Sequence, residues 1–365
     1  MKVALLTFHD TTNFGSFLQT YGLYRTLCDL NLDCEVLDYQ CKAVRDKERP
    51  ATRPENWSPK KIIKFVLLEP AKRKKYKNMR KSVRDMLRLS HTYTRETVAA
   101  AQKDYDAILV GGDILWGLDI TGGDTAYFLD FVQDSRKKYA FGTSVGNPWT
   151  DAQKPGVRPL LQSFHKIAVR EQEAADWVQE LTGTRPPVVC DPTMLLDRQT
   201  WDALARQSDL YDRLQGKKYV LTYFDTSDGR MHREACAYAK AHGLEVYAIN
   251  YGVPRPHAKN VKPSSVQDFL ALFCQAAAIF TASYHGMMFA IYFEKLLYYY
   301  SDRRSSRFDT VAARLGLLEQ KRVPEAPFAE HEVDYRAVTP EVARWREESR
   351  CILQSYWEEP HGQNL

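Results

Sequence analysis

The chain has no CxxC pair. Its seven cysteines, Cys28, Cys34, Cys41, Cys190, Cys236, Cys274 and Cys351, are odd in number and scattered over 365 residues, which fits neither a disulfide framework nor a zinc site and leaves them as reduced thiols. No apolar run approaches the ~20 residues of a membrane-spanning helix. The N-terminus is apolar for only a few positions before His9 and Asp10, so it lacks the apolar stretch of an export signal and the expected location is the cytoplasm. Charge bias is slight: 51 basic against 46 acidic residues, a net +5, too little to argue for a nucleic-acid partner. The phosphate-cradling patterns GxGxxG and the Walker glycine-lysine loop are missing, so a classical dinucleotide or nucleoside-triphosphate site is not expected. What remains is 44% apolar and 27% charged residues, the balance of a folded protein with a sizeable core and length for two domains.

The most informative stretch is Thr281-Ala282-Ser283-Tyr284-His285-Gly286, entered from the apolar run 276–280 and left through Met287-Met288-Phe289. Such a run, stopping at small and hydroxylic residues and then resuming, reads as buried strand, tight turn and helix start. Open α/β sheets present ligands there: first-turn N–H groups and the helix dipole favour an anion, and Gly286 permits close approach. His285 is the one side chain in the turn able to move a proton near neutral pH; at a helix start it also reads as a merely satisfied ring.

Strand-turn-helix units recur along the chain. Residues 3–8 read as a strand, followed by Asn13-Phe14-Gly15-Ser16 and a helix over about 17–30; Asn13 and Gly15 either expose backbone amides to a ligand or cap the helix. Residues 41–57 read as a loop, and 58–90 as a basic, partly amphipathic helical insertion. That insertion suits either anionic lipid headgroups or plain solvent. The buried strand 106–110 ends in Gly111-Gly112-Asp113-Ile114-Leu115-Trp116: Asp113 is a candidate base, hydrogen-bond acceptor or helix cap, and Trp116 a candidate stacking wall. Another strand, 138–141, leads to Gly142-Thr143-Ser144. Val169-Arg170-Glu171 places an arginine at a strand end, where it grips either a carboxylate or phosphate ligand or its neighbour Glu171. Further units follow to 315, including the basic loop Arg303-Arg304-Ser305-Ser306-Arg307, and a last helix crosses back. The expected architecture is α/β, two Rossmann-like domains facing a crevice: 1–152, 153–338, and a crossing helix and tail at 339–365.

Taken in order, Asn13-Phe14-Gly15 with Leu18-Gln19-Thr20-Tyr21, Val110-Gly111-Gly112-Asp113 with Trp116, Thr143-Ser144-Val145-Gly146, Val169-Arg170-Glu171, Cys190-Asp191-Pro192-Thr193, Ser283-Tyr284-His285-Gly286 and Ser306-Arg307-Phe308 resemble the polysaccharide pyruvyl transferase family over residues 3 to about 320. The resemblance implies a fold similar to GT-B glycosyltransferases. It also implies transfer of pyruvate from phosphoenolpyruvate to a sugar of a bacterial cell-surface polysaccharide precursor, as a cyclic ketal on two hydroxyls or an enolpyruvyl ether on one. By the same resemblance His285 is the acid or the donor to departing phosphate, and Asp113 a candidate base. Arg170, Arg307, Ser283 and Gly286 are assigned to the donor, and Asn13, Gly15, Trp116 and Ser144 to the acceptor. No metal or cofactor is expected beyond phosphoenolpyruvate as co-substrate; a lipid-linked acceptor would give the basic insertion a membrane surface. The chain departs from the family pattern at Ala282, where many relatives have Asp, and at Ile114, where many have Gln. Two other readings are a glycosyltransferase using a nucleotide sugar and a non-catalytic glycan-binding member of the family.

Overall fold

The structure, a computed structural model, describes residues 1–53, 58–301, 306–324 and 326–358. Short runs of branched and aromatic residues, buried on both faces, form two wholly parallel sheets. The first contains β1 (Lys2–Leu6), β2 (Asp33–Tyr39), β3 (Leu89–Tyr93), β4 (Ala107–Gly111), β5 (Lys138–Thr143) and β6 (Lys166–Val169), in the order β3-β2-β1-β4-β5-β6. The second contains β7 (Tyr219–Tyr223), β8 (Glu245–Ile249), β9 (Lys259–Val261), β10 (Ala278–Thr281) and β11 (Leu296–Tyr299), in the order β11-β10-β7-β8-β9. Strand order reverses between β1 and β4, which pair Val3 with Ala107, and between β7 and β10, which pair Val220 with Ala278. Parallel sheets open a crevice at such reversals, outside the carboxyl ends of the strands.

The two-sheet α/β architecture matches the sequence reading; one boundary does not. β6 pairs with β5, and Val188 bridges to Val169. Residues 153–190 therefore belong with the first sheet, and a junction at 152/153 is too early. The Pro- and Gly-rich run at 149–159 that suggested it only opens the helix Lys154–Gln162. A second correction concerns 41–57, expected as a loop: Lys42–Glu48 is a helix, tied down where Glu48 accepts from the Thr12 N–H and hydroxyl, both at 2.6 Å.

One core cluster runs through both sheets. The helix Phe14–Asp29 stacks Phe14 on Phe269 at 4.8 Å, each such buried ring contributing roughly 1.5–3 kcal/mol. The closing helix Tyr335–Gln354 buries Val338, Val342, Trp345 and Leu353. It returns the chain to the first sheet, where Tyr356 Oη donates to Ala140 O at 3.0 Å and its ring packs on Tyr139. This is the expected crossing helix, starting four residues earlier than read; 359–365 of its tail lie outside the described residues. The basic insertion is one helix, Pro59–Met86, started by its proline and buried through Leu68, Glu69, Met79, Ser82 and Val83. Asn78 on it donates to Ser264 at 3.0 Å, so the insertion reaches the second domain.

Candidate active site

A cavity of about 280 Å³ lies where the loops after β1, β4, β7 and β10 converge. Thr11, Asn13, Ser16, Asp113 and Ile114 form one wall; Phe224, Ala282, Ser283, Tyr284, His285 and Arg307 form the other. Ser283 caps the helix Tyr284–Tyr292, its hydroxyl accepting from the Gly286 N–H at 3.3 Å. That cap sets where His285 leaves the helix. Across the crevice Asn13 caps Phe14–Asp29, accepting from the Gly15 N–H at 3.0 Å. A Cβ at Gly15 would collide with the His285 imidazole. The absence of a side chain there lets the two domains meet on the histidine.

Behind the cavity sits a charge cluster centred on Arg170, whose side chain has no exposure. Its Nη1 donates to Asp191 Oδ2 at 2.5 Å and its Nη2 to Asp113 Oδ1 at 3.4 Å, while Nε stands 3.8 Å from Glu171. Asp191 also accepts from the Thr193 N–H and hydroxyl, and Asp113 from the Ser16 hydroxyl. Burial raises the Asp113 carboxyl, but Arg170, His285, Ser16 and Arg307 together outweigh it and take it down to about 2. So weak a base suits hydrogen bonding better than proton abstraction. Burial raises Glu171 against the pull of Arg170, and its Oε2 has no hydrogen-bond partner among the described residues.

On the cavity wall, His285 and Arg307 each carry a buried nitrogen without a hydrogen-bond partner among the described residues. His285 Nε2 is buried without a hydrogen bond among the described residues, 3.8 Å from Asp191 Oδ2. Burial lowers its pKa below 6.5, against the opposing carboxylates Asp191 and Asp113, and the two arginines lower it further. A pKa held below 6.5 favours the neutral ring at pH 7. Arg307 packs over Tyr284 at 5.2 Å, with Arg170 over the same ring at 5.0 Å. It forms no salt bridge among the described residues, and its Nε is a buried donor without a partner. Burial and Arg170 both lower its pKa. A guanidinium so placed is an open seat for an anion.

The structure thus brings His285, Asp113, Arg307, Ser283 and Asn13 to one cavity, with Gly15 behind the imidazole. Four expected residues stand elsewhere. Arg170 lies one layer back, its charge already matched by carboxylates, so it positions Asp113 and Asp191 and does not line the cavity. Gly286 faces Thr281, whose hydroxyl a Cβ would strike. Ser144 is fully buried and donates to Glu171. Trp116 is no stacking wall: it is 0% exposed, stacks on Phe128 at 5.6 Å and donates to Tyr127 O. Arg303, Arg304 and Ser305 lie outside the described residues. Sequence reading assigned no site role to Asp191, Tyr284 or Lys47. The Asp191-Pro192-Thr193 turn was visible as a motif; Lys47, on the wall through the helix Lys42–Glu48, carried no local signal.

Residues 13–295 match the family described as polysaccharide pyruvyl transferase, a span that holds Asn13, Asp113, Arg170, Asp191 and His285. The chain belongs to the polysaccharide pyruvyl transferase family. The membership makes it a transferase, and of the motifs that carried the resemblance in sequence, Asn13, Asp113, Ser283, Tyr284, His285 and Arg307 line the cavity, while Arg170 and Asp191 stand behind it. No curated protein matches this family member significantly. Among solved structures it is similar to UDP-GlcNAc 2-epimerase from Methanocaldococcus jannaschii, with a TM-score of 0.52 at 10% identity over 94% of this chain and 92% of that one. It is more distantly similar to UGT2 of Phytolacca americana, with a TM-score of 0.38 at 13% identity over 97% and 94%. The fold of this transferase is GT-B-like. No described helix is long and apolar enough to cross a membrane.

Proposed function

We propose that the protein transfers the pyruvyl group of phosphoenolpyruvate to a sugar, closing a ketal across two hydroxyls of a bacterial cell-surface polysaccharide precursor. The observation that carries this reading is that Arg307 Nε and His285 Nε2 meet in one cavity, both buried and without a hydrogen-bond partner among the described residues. Phosphoenolpyruvate presents a carboxylate and a phosphate; Arg307 and the first turn of the helix Tyr284–Tyr292 offer donors to such groups. Its negative charge raises the His285 pKa, so that binding loads the imidazole with a proton. His285 then protonates the methylene carbon, leaving C2 open to attack by the first hydroxyl, whose proton returns to the ring. The second hydroxyl displaces phosphate at C2 and its proton leaves with the phosphate. Methylene becomes methyl, two C–O bonds to the sugar form, and the bonds lost are the enol π bond and the C–O bond to phosphate. Asp113 stays ionised and orients Ser16 or an acceptor hydroxyl. The reaction so written draws its charges from side chains and asks for no cofactor besides the co-substrate.

We place the acceptor on the cytoplasmic face of the membrane, attached to a lipid. The basic helix supports this: Ile63, Val66 and Leu67 are 59%, 61% and 67% exposed, on one face beside Lys60 and Lys64. The chemical test is incubation with phosphoenolpyruvate and a glycan panel, reading phosphate release and addition of pyruvate by mass. Acceptor-dependent release that His285→Ala abolishes supports the reading; turnover of a nucleotide sugar in its place overturns it.

A further inference from the structure

A second cavity, of about 380 Å³, opens at the carboxyl ends of β7 and β8 and shares Phe224 with the first. Phe224 holds a left-handed backbone, φ +54°, with its ring 56% exposed. A non-glycine residue accepts such a conformation only where the surroundings impose it, and here Ala282 N–H bonds to its carbonyl at 2.9 Å.

On one wall stands Lys75 of the basic helix, its ammonium 4.0 Å from the centre of the Phe14 ring and 4.5 Å from that of Tyr251. It makes no hydrogen bond or salt bridge among the described residues. On the other, His232 Nε2 lies 2.8 Å from Pro256 O, which can only accept. Nε2 therefore carries the hydrogen, which leaves Nδ1, buried and without a hydrogen-bond partner among the described residues, facing the cavity as a polar atom. Arg255, at the rim, is already paired with Asp225 at 3.1 Å. The cavity thus offers one partly desolvated cation, one buried acceptor and an aromatic face, in a volume that holds a phosphate group and more of a small organic molecule besides. An anion, hydroxyl donors and a flat apolar face coincide in a phosphorylated sugar.

We propose that this cavity binds the phosphate or diphosphate of a phosphorylated sugar acceptor at Lys75, directing the sugar past Phe224 toward His285. The identity of the acceptor rests on the pyruvyl-transfer reading; the anion site itself does not. Lys75 is the charge that matters. Burial takes its ammonium down to about 8, opposed by Glu48; Asp225, Arg255 and His232 face it across the cavity. Binding therefore holds below pH 8 and weakens as the pH rises through that value. The sign for stability is opposite: the unfolded chain keeps this proton up to its ordinary 10.5, so the unliganded fold gains stability as the pH rises from about 8 toward 10.5.

The test is calorimetric titration of inorganic pyrophosphate into the full chain, Lys75→Met, Lys75→Arg and Arg307→Ala. The expected result is binding in the parent and in Arg307→Ala, at least about tenfold weaker binding in Lys75→Met, and partial rescue in Lys75→Arg. The melting temperature of Lys75→Met should stay level or rise, because a partly buried charge with no salt bridge among the described residues is removed. Farnesyl diphosphate beside uridine diphosphate then separates a lipid-borne from a nucleotide-borne group. Absence of pyrophosphate binding in a folded parent, or binding lost in Arg307→Ala and kept in Lys75→Met, overturns the proposal. Phosphoenolpyruvate binding in either case leaves the pyruvyl-transfer reading standing.

Discussion

At Gly15 the helix Phe14–Asp29 rests against the His285 ring, and a methyl group has no room there. Gly15→Ala should therefore displace the imidazole while leaving both sheets intact. Misplacing a reacting group by about 1 Å costs on the order of 10²-fold in rate, so phosphate release should fall by about that factor with little change in melting temperature. Arg170 and Arg307 should separate in the opposite way. Removing Arg170 strands the buried Asp191 and Asp113 carboxylates, a loss on the order of 3–5 kcal/mol, readable as a shift of the denaturant midpoint in Arg170→Ala. Arg307→Ala discards a cation that has no partner among the described residues; its midpoint should hold while phosphoenolpyruvate binding disappears. Equal destabilisation by both would contradict the division into a positioning and a binding arginine. His285 and Arg307 were legible because the turns that carry them have local signatures. The partner of Arg170 was not, since Asp191 lies beyond an intervening helix. Trp116 was misplaced for a related reason: an indole after Gly-Gly-Asp serves a ligand or a core equally well, and Phe128 and Tyr127 decide it from outside the motif.

Helices with an apolar stripe were readable, and those without one were not. Tyr335–Gln354 shows its buried Val338, Val342 and Trp345 at helical spacing. Lys42–Glu48 buries none of its residues, so no periodicity marks it, and it is held by Thr12 from another part of the chain. The basic helix Pro59–Met86 was visible by charge, but only the structure separates its packed half, with Met79 and Val83, from the half that leaves Ile63, Val66 and Leu67 in water. Apolar side chains flanked by lysines bind anionic bilayers by insertion and attraction together. The protein should sediment with anionic vesicles at low salt, less at high salt, and hardly with zwitterionic ones. Substituting Ile63, Val66 and Leu67 by Asp should abolish sedimentation and leave turnover of a soluble acceptor unchanged. Sedimentation that survives the triple substitution would assign membrane binding to another surface.

For the whole molecule, the two-sheet plan was legible from repeated strand, turn and helix, because parallel strands need helical crossovers and carry near-continuous apolar runs. The junction was not, because β6 belongs to the first sheet through pairing with β5, a contact that local composition does not encode. That pairing places Arg170 on the first domain and His285 on the second, so the candidate site exists only while both face each other across the crevice. At that crevice, phosphoenolpyruvate is expected to bind through Arg307 and His285. The most direct test is calorimetric titration of phosphoenolpyruvate into the full chain at neutral pH, in two buffers of different ionisation enthalpy. The account predicts binding with net uptake approaching about one proton, as His285 is loaded, lost in Arg307→Ala and stripped of its proton uptake in His285→Ala. Binding that ignores both substitutions, or no binding alongside saturable binding of a nucleotide sugar, would contradict it.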